Sequence, residues 1–335
     1  MVAVNGFGST RRNFVRQITV GAIGLKSAVS SAHPEAAPAP ALQSGQGKYG
    51  KWLKPLTFED WQGPFRQITR HTSEFPNLHV EYGTPAVAGR IGTPEVHDFD
   101  QVLIFMGSDP RNIGDLGAQV ELCLGSGREK HMITTSTAVF VPKGTPHMPA
   151  TTLRMDRRFI LMTISNASQI KAAPAPAPAK EYAGEPIAGL SLMRSKFRDN
   201  IPIMLWERKG AWHYGAQNPD DAEGYITSIN GNSGTFNFHM MYESINKGPY
   251  RFGDPYKPHV HAYDESLIFI GTDCNDLAKL PGEAEMCMGT EAEMERYRFS
   301  TPTLIHLPKG FQHCPLVIAR VDKPFIFVVL QAFGN

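Results

Sequence analysis

Hydrophobic positions come in short runs along this chain, around 100–107, 119–124, 136–142, 158–165, 225–230, 235–243, 265–270, 284–288, 303–308 and 325–332. Clusters of Gly, Pro, Asn and Asp divide them, as in FGDP (252–255) and PKG (308–310). Short apolar runs bounded by turn residues predict strands. Helical periodicity is weak, and only 110–117 and 274–280 read as short helical turns. Many short strands at close spacing predict an all-β fold built from sandwiches or barrels.

The pattern occurs twice. EVHDFDQVLIFMGSD (95–109) parallels HVHAYDESLIFIGTD (259–273), and VELCLG (120–125) parallels AEMCMG (284–289), both at an offset of 164. VPKGTPHMP (141–149) then parallels LPKGFQHCP (307–315) at 166, and RMDRRFI (154–160) parallels RVDKPFI (320–326). Upstream, NLHVEY (77–82) echoes NFHMMY (237–242). Such ordered correspondence is the mark of a duplicated unit. KAAPAPAPAK (171–180) separates the copies, and its alternating Ala and Pro predict an extended, semi-rigid spacer. We therefore divide the chain into a leader (1–32), an Ala/Pro-rich tether (33–48), a first unit (49–168), a linker (169–185) and a second unit (186–335).

Length and composition fit this division. The chain has 335 residues, enough for two ordinary domains, and its 26 prolines and 31 glycines suit turns better than long helices. All four charged residues among the first 32 are basic: Arg11, Arg12, Arg16 and Lys26. Setting them aside leaves 29 basic against 32 acidic residues, so no basic field remains to hold nucleic acid. No apolar run is long enough to span a membrane. TRRNFVR (10–16), the apolar ITVGAIGL (18–25) and the small residues Ser30, Ser31 and Ala32 resemble a twin-arginine export signal. That resemblance implies an exported protein, periplasmic or secreted, that crosses its membrane already folded.

Four cysteines are open to pairing outside the cytoplasm. Cys123 and Cys287 sit at matching places in ELCLG and EMCMG, on the strand face of Glu121 and Glu285, which predicts one shared structural role. The state of Cys274 and Cys314 stays open at this point.

Candidate chemistry concentrates in PHVHAYDESLIFIG (258–271). Side chains alternate along a strand, so His259, His261 and Glu265 share one face if the strand is unbroken. Two imidazoles and a carboxylate leave open positions on a divalent ion. His313, after the tight Pro308-Lys309-Gly310 turn, is a fourth candidate.

These residues resemble the cupin superfamily. Gly253 stands five residues before His259, Glu265 follows His261 at the three-residue spacing, and Gly271 closes the first motif one residue early. Pro308, Gly310 and His313 match the second motif, while Pro302 and Val317 stand where glycine and asparagine are expected. The resemblance covers both repeats. It implies two tandem jelly-roll β-barrels, a bicupin, with one divalent metal held by His259, His261, Glu265 and His313. Iron(II) or manganese(II) is expected first, with zinc, nickel and copper not excluded.

In the first unit Glu95 replaces His259, Gln101 replaces Glu265, and His97 and His147 match His261 and His313. A neutral amide is a poor donor, so a barrel kept for packing after its site decayed is the favoured expectation, with a degenerate second metal site of Glu95, His97, Gln101 and His147 as the alternative. His239, His306 and Tyr263 are candidates for substrate orientation or proton transfer beside the metal. Their counterparts His79 and Phe99 argue for packing at two of the three. Trp52, Trp61, Trp206 and Trp212 open the two units and are expected to pack rather than bind ligand.

No phosphate loop, nucleophile elbow or dinucleotide fingerprint is present. The favoured expectation is a metal-dependent oxidoreductase of dioxygenase type acting on a small organic or phenolic substrate. The rivals are an oxalate-decarboxylase or oxidase-like enzyme and a metal-dependent binding protein without turnover. Pairing of barrels into a homodimer is a further expectation from the family.

Overall fold

The structure is a computed structural model that describes residues 41–73, 77–188, 195–196, 200, 207–208, 225–230, 239–252 and 257–331. The segment expected as an export signal, Trp206, Trp212 and Gly253 lie outside the described residues. Strands dominate, and no described helix is long and apolar enough to cross a membrane.

Each repeat forms two antiparallel sheets. In the first, Thr137–Val141, Gln101–Gly107, Phe159–Ser165, Leu78–Pro85, Phe65–Ser73 and Glu59–Gln62 make one sheet in that order. Its companion runs Ala173–Pro174, Glu95–Val96, His147–Met155, Asp115–Leu124 and Glu129–Thr135, with Gly89–Ile91 also on His147–Met155. In the second repeat the order is Leu53–Pro55, Thr303–Leu307, Glu265–Ile270, Phe325–Gln331, His239–Ile245, Tyr225–Asn230 and Glu207–Arg208. Its companion is Tyr250–Phe252, His313–Val321, Gly282–Met288 and Glu295–Phe299. Apart from the added strands Leu53–Pro55, Glu95–Val96 and Ala173–Pro174, the order is the same in both, so the duplicated sequence folds as a duplicated structure. The segments 110–117 and 274–280 form short turns as expected, and the first runs into the strand Asp115–Leu124.

The runs VLIFM and LIFI do not alternate with polar residues because both faces of their strands are buried. Leu103 and Phe105 point into the first barrel, and Leu267 and Phe269 into the second. Val102, Ile104 and Met106 instead join Ile268, Ile270, Val328 and Leu330 in one cluster between the barrels. An apolar sheet face left in water costs about 25 cal/mol per Å2, so pairing the two outer faces stabilises both barrels. The glycine closing each run has its own cause. A Cβ at Gly271 would lie 2.1 Å from the Lys279 carbonyl oxygen, and one at Gly107 2.2 Å from that of Asp115.

The segments ahead of each barrel cross to the other. Leu53–Pro55 pairs with Thr303–Leu307 of the second barrel, and Leu42 bridges Tyr297. In the matching place Ile187 bridges His131 of the first barrel, and Asn200 donates to the Phe140 carbonyl. The division at residue 49 thus follows composition, whereas strand pairing places 53–55 in the second barrel's sheet. Residues 41–48, expected as tether, are docked: Leu42 N–H donates to the Arg296 carbonyl, and Lys48 pairs with Glu293 at 2.7 Å. The Ala/Pro linker is extended, but it also pairs, with Ala173 opposite Val96 and Pro174 opposite Glu95.

Candidate metal centre

The second barrel brings its three histidines to one point by a route other than strand alternation. The strand starts only at Glu265, and residues 262–263 form a bend. His259 is placed by a two-way backbone bridge with His313, with N–H to carbonyl distances of 2.9 and 3.1 Å. Lys309 N–H donates to Asp264 Oδ1 and Gly310 N–H to the His261 carbonyl, which ties the Pro-Lys-Gly turn to the same loop. The ligand atoms of His259, His261 and His313 all lie within 4.8 Å of one another. Glu265 Oε2 is 3.3 Å from His313 Nε2 and 3.7 Å from His261 Nε2. Donors bound to one ion at ~2.1 Å stand about 3–4 Å apart, so these spacings suit a shared cation.

Neighbouring groups aim the rings. His313 Nδ1–H donates to the Phe311 carbonyl at 2.9 Å, which leaves the buried Nε2 facing inward beside Glu265. His261 Nδ1 lies 3.1 Å from the Tyr263 hydroxyl, and the two rings stack at 4.9 Å. Such bonds fix tautomer and orientation in metal-binding histidines. His259 Nε2 and His261 Nε2 face each other at 3.2 Å, a contact of two acceptors unless a proton or cation lies between.

Electrostatics prepare the donors for a cation. Desolvation lowers the His259 pKa to about 4, helped by the His313 and His261 charges. It lowers His261 as well, against the pull of Glu265. For Glu265 desolvation is the largest influence and pushes upward, but the His313 hydrogen bond and the imidazole charges together hold its carboxyl below the usual range. At neutral pH His259 and His261 are uncharged and Glu265 is ionised, the forms that bind metal.

The three neighbouring candidates separate. Tyr263 touches His261. His306 does not: it stands opposite Ser266 while Leu307 stands opposite Glu265, so it lies on the other face of the sheet. There it is buried, bonds Ser266 at 3.0 Å and packs 5.6 Å from His71 of the first barrel. Its role as acid or base beside the metal is thereby corrected, because strand parity turns it into the seam between barrels. His239 occupies the register position across Gln331 from Glu265.

Sequence reasoning missed Glu243, which is fully buried in the same strand as the apolar Ile245. Alternation from Met241 through Glu243 to Ile245 was the available signal. Trp52 packs on Phe311 beside the His313 turn, whereas Trp61 is exposed and capped by Arg66. All four cysteines are free and buried, and burial pushes the Cys287 thiol up to about 11.

The first barrel also gathers its set. Glu95 Oε1 lies 3.5 Å from His97 Nε2 and 3.6 Å from His147 Nε2. Gln101 turns its amide away, with Nε2 donating to Ser165 Oγ at 3.0 Å.

Comparison with known proteins decides the fold. No protein-family model and no curated protein matches the chain. Among solved structures it is similar to vicilin from hazelnut (Corylus avellana), with a TM-score of 0.55, 10% identity, and coverage of 84% of this chain and 85% of that one. It is also similar to oxalate decarboxylase from Bacillus subtilis, with a TM-score of 0.51, 9% identity, and coverage of 90% and 85%. Both are bicupins. The chain has the bicupin fold. Another structure of the same decarboxylase, with TM-score 0.51, 10% identity and coverage of 88% and 81%, is described by its Mn(II) centres. At these identities it is the barrel pair that is shared, and the chemistry must be argued from the residues.

Proposed function

We propose that this bicupin is a metal-dependent oxidoreductase of dioxygenase type, exported by its twin-arginine-like leader, that acts on a small organic or phenolic molecule in the second barrel. His259, His261, Glu265 and His313 hold one divalent ion, iron(II) or manganese(II). The observation that carries this reading is the convergence of the histidine nitrogens beside Glu265, with the outer nitrogens of His261 and His313 held by Tyr263 and a backbone carbonyl. When bound, such an ion supplies Lewis acidity and a template for oxygen donors.

The chain's own residues do the rest. Glu265, buried and ionised, sets the negative charge of the site, so neutral imidazoles and one carboxylate leave a divalent ion with residual positive charge that favours an anionic oxygen on the substrate. His259, the most exposed of the four ligands, stands at the open side, where a substrate enters. The Tyr263 hydroxyl accepts from His261 Nδ1–H and holds that ring in place. Exclusion of water falls to the apolar interior formed by Leu267, Leu307 and Phe327.

The test is metal content by plasma mass spectrometry on tag-free protein and on Glu265→Ala, followed by oxygen uptake and carbon dioxide release with phenolic substrates and with oxalate. Loss of one iron or manganese per chain in the variant, with substrate-dependent oxygen uptake in the parent, is expected. Carbon dioxide from oxalate without net oxygen uptake would move the reading to the decarboxylase class. Unchanged metal in Glu265→Ala would remove the site altogether.

A further inference from the structure

The turn that carries His313 is braced from outside by the arm that precedes the first barrel. Residues 41–55 run onto the second barrel and are fixed there at several points. Leu42 N–H donates to the Arg296 carbonyl, Lys48 N–H to Glu295 Oε2 at 2.8 Å and Tyr49 N–H to the Tyr297 hydroxyl at 2.9 Å. Leu53 enters the second barrel's core, and its strand Leu53–Pro55 pairs with Thr303–Leu307.

Two aromatic contacts fall between those points. The Tyr49 ring meets Phe311 edge-on, with centroids 5.2 Å apart, and the Trp52 ring lies 6.4 Å from the same side chain. Phe311 N–H donates to the Pro308 carbonyl at 2.9 Å, and the Phe311 carbonyl accepts from His313 Nδ1–H at 2.9 Å. Tyr49 also lies against Gly289, where a Cβ would come within 2.7 Å of the ring, and Gly289 N–H donates to the Gln312 carbonyl at 2.8 Å. The two residues before His313 are thus held between the barrel and two rings of the arm. An aromatic pair contributes about 0.5–1.5 kcal/mol beyond its buried area. Fixing the peptide that carries the acceptor fixes the imidazole that donates to it.

The first barrel is an internal control. Its turn has Thr145 in the place of Phe311, with the same carbonyl bond to His147 Nδ1 at 3.1 Å, and Gly125 N–H likewise donates to the Pro146 carbonyl. The arm ahead of the second barrel is docked there too, through Ile187 on Lys130 and Ser195 on Glu129. Threonine offers that arm no ring to stack on. Docking an arm therefore does not require rings on the turn, and the rings are added where the ligand set is His259, His261, Glu265 and His313.

We propose that Tyr49 and Trp52 are positioning residues for the second barrel's metal centre: through Phe311 they hold the His313 imidazole in its binding orientation, so arm docking and cation binding favour each other. This role rests on His259, His261, Glu265 and His313 being the metal ligands, as proposed above. Linkage sets its size in both directions. If undocking the arm weakens the cation by some factor, the bound cation strengthens docking by the same factor.

The experiment uses the full chain with manganese(II) as the probe. Chelator competition reads affinity, and hydrogen exchange reads protection of the Leu42, Tyr49 and Trp52 amides, each of which donates a hydrogen bond in the docked arm. In the parent, saturating manganese should slow exchange of these amides about tenfold, and in Glu265→Ala it should not. Tyr49→Ala with Trp52→Ala should weaken manganese about tenfold, whereas Tyr49→Phe with Trp52→Phe should stay within about twofold of the parent. Lys48→Ala, which removes only an exposed ion pair with Glu293, should leave both readouts unchanged. Circular dichroism and the unfolding midpoint show that each variant is folded, and the parent's exchange needs no variant at all. Manganese that is bound in the parent and reduced by one per chain in Glu265→Ala, with arm exchange unmoved by metal, overturns the arm's role and leaves the metal centre standing. So does parent affinity in the folded Tyr49→Ala, Trp52→Ala protein. A parent without manganese, or a Glu265→Ala protein that keeps all of it, overturns the metal centre, and the arm's role falls with it.

Discussion

The two barrels share strand order, turns and ring-aiming bonds but place their one anionic donor at opposite ends of the motif. In the second barrel it is Glu265, 5% exposed and built into the strand that pairs with Thr303–Leu307 and Phe325–Gln331. In the first it is Glu95, partly exposed at the mouth and held between His147 and the linker. The strand position is rigid and dry, whereas the mouth position depends on a segment outside the barrel proper. Support around the histidines differs too. Tyr263 gives His261 a hydrogen-bond partner, but Phe99 packs edge-on against His97 at 4.5 Å and offers none. One scaffold thus carries two donor sets of unequal preorganisation, and the second barrel is expected to bind metal more tightly.

The largest effect that tests this comparison comes from removing a matched ligand in each barrel. His313→Ala and His147→Ala should each weaken metal in their own barrel by roughly a hundredfold or more and leave the other unchanged, read by chelator competition. Cross-effects of equal size would mean that the barrels do not bind independently. Next comes the support around the rings. Tyr263→Phe should weaken the second barrel's metal by about tenfold, and Phe99→Tyr should strengthen the first's severalfold by giving His97 Nδ1 a partner. No change in either would leave the hydrogen bond without a part in the difference.

The seam gives a pH prediction. Burial first, then the charges of His71 and Lys54, bring the His306 pKa from 6.5 down to about 3. A group with a lowered folded value binds fewer protons folded than unfolded, so its stability is present above pH 6.5 and is lost as pH falls toward about 3. His306→Leu should flatten that acid limb by up to ~4 kcal/mol in urea unfolding across this window. An unchanged slope would remove His306 as a source of acid sensitivity. The smallest effect is expected from Ser165→Ala, which frees the Gln101 amide and should change the first barrel's metal affinity by no more than about threefold.

Much of this was legible in the chain. The repeat of Pro-Lys-Gly followed by histidine and of the apolar runs announced two like barrels, because each residue there answers a local demand. Glycine stands where backbone approaches backbone, apolar side chains line a buried face, and histidine follows a tight turn. The Ala/Pro spacer was legible as extended for the same local reason. His306 was misplaced because it sits one step from the face of Glu265, and which face looks inward depends on the partner strands. That Glu95 sits beside the linker was not legible, because its strand partner Pro174 lies some 80 residues away in sequence.

The sequence by itself determined the strands, the duplication and the candidate donors of the second barrel, since these rest on local periodicity and residue chemistry. Only the tertiary structure decided that the outer faces of the barrels bury each other, that the leading arms cross over, and that the linker pairs beside Glu95. Those features join residues distant along the chain, and the free energy that selects them comes from burying surfaces no single segment can bury alone.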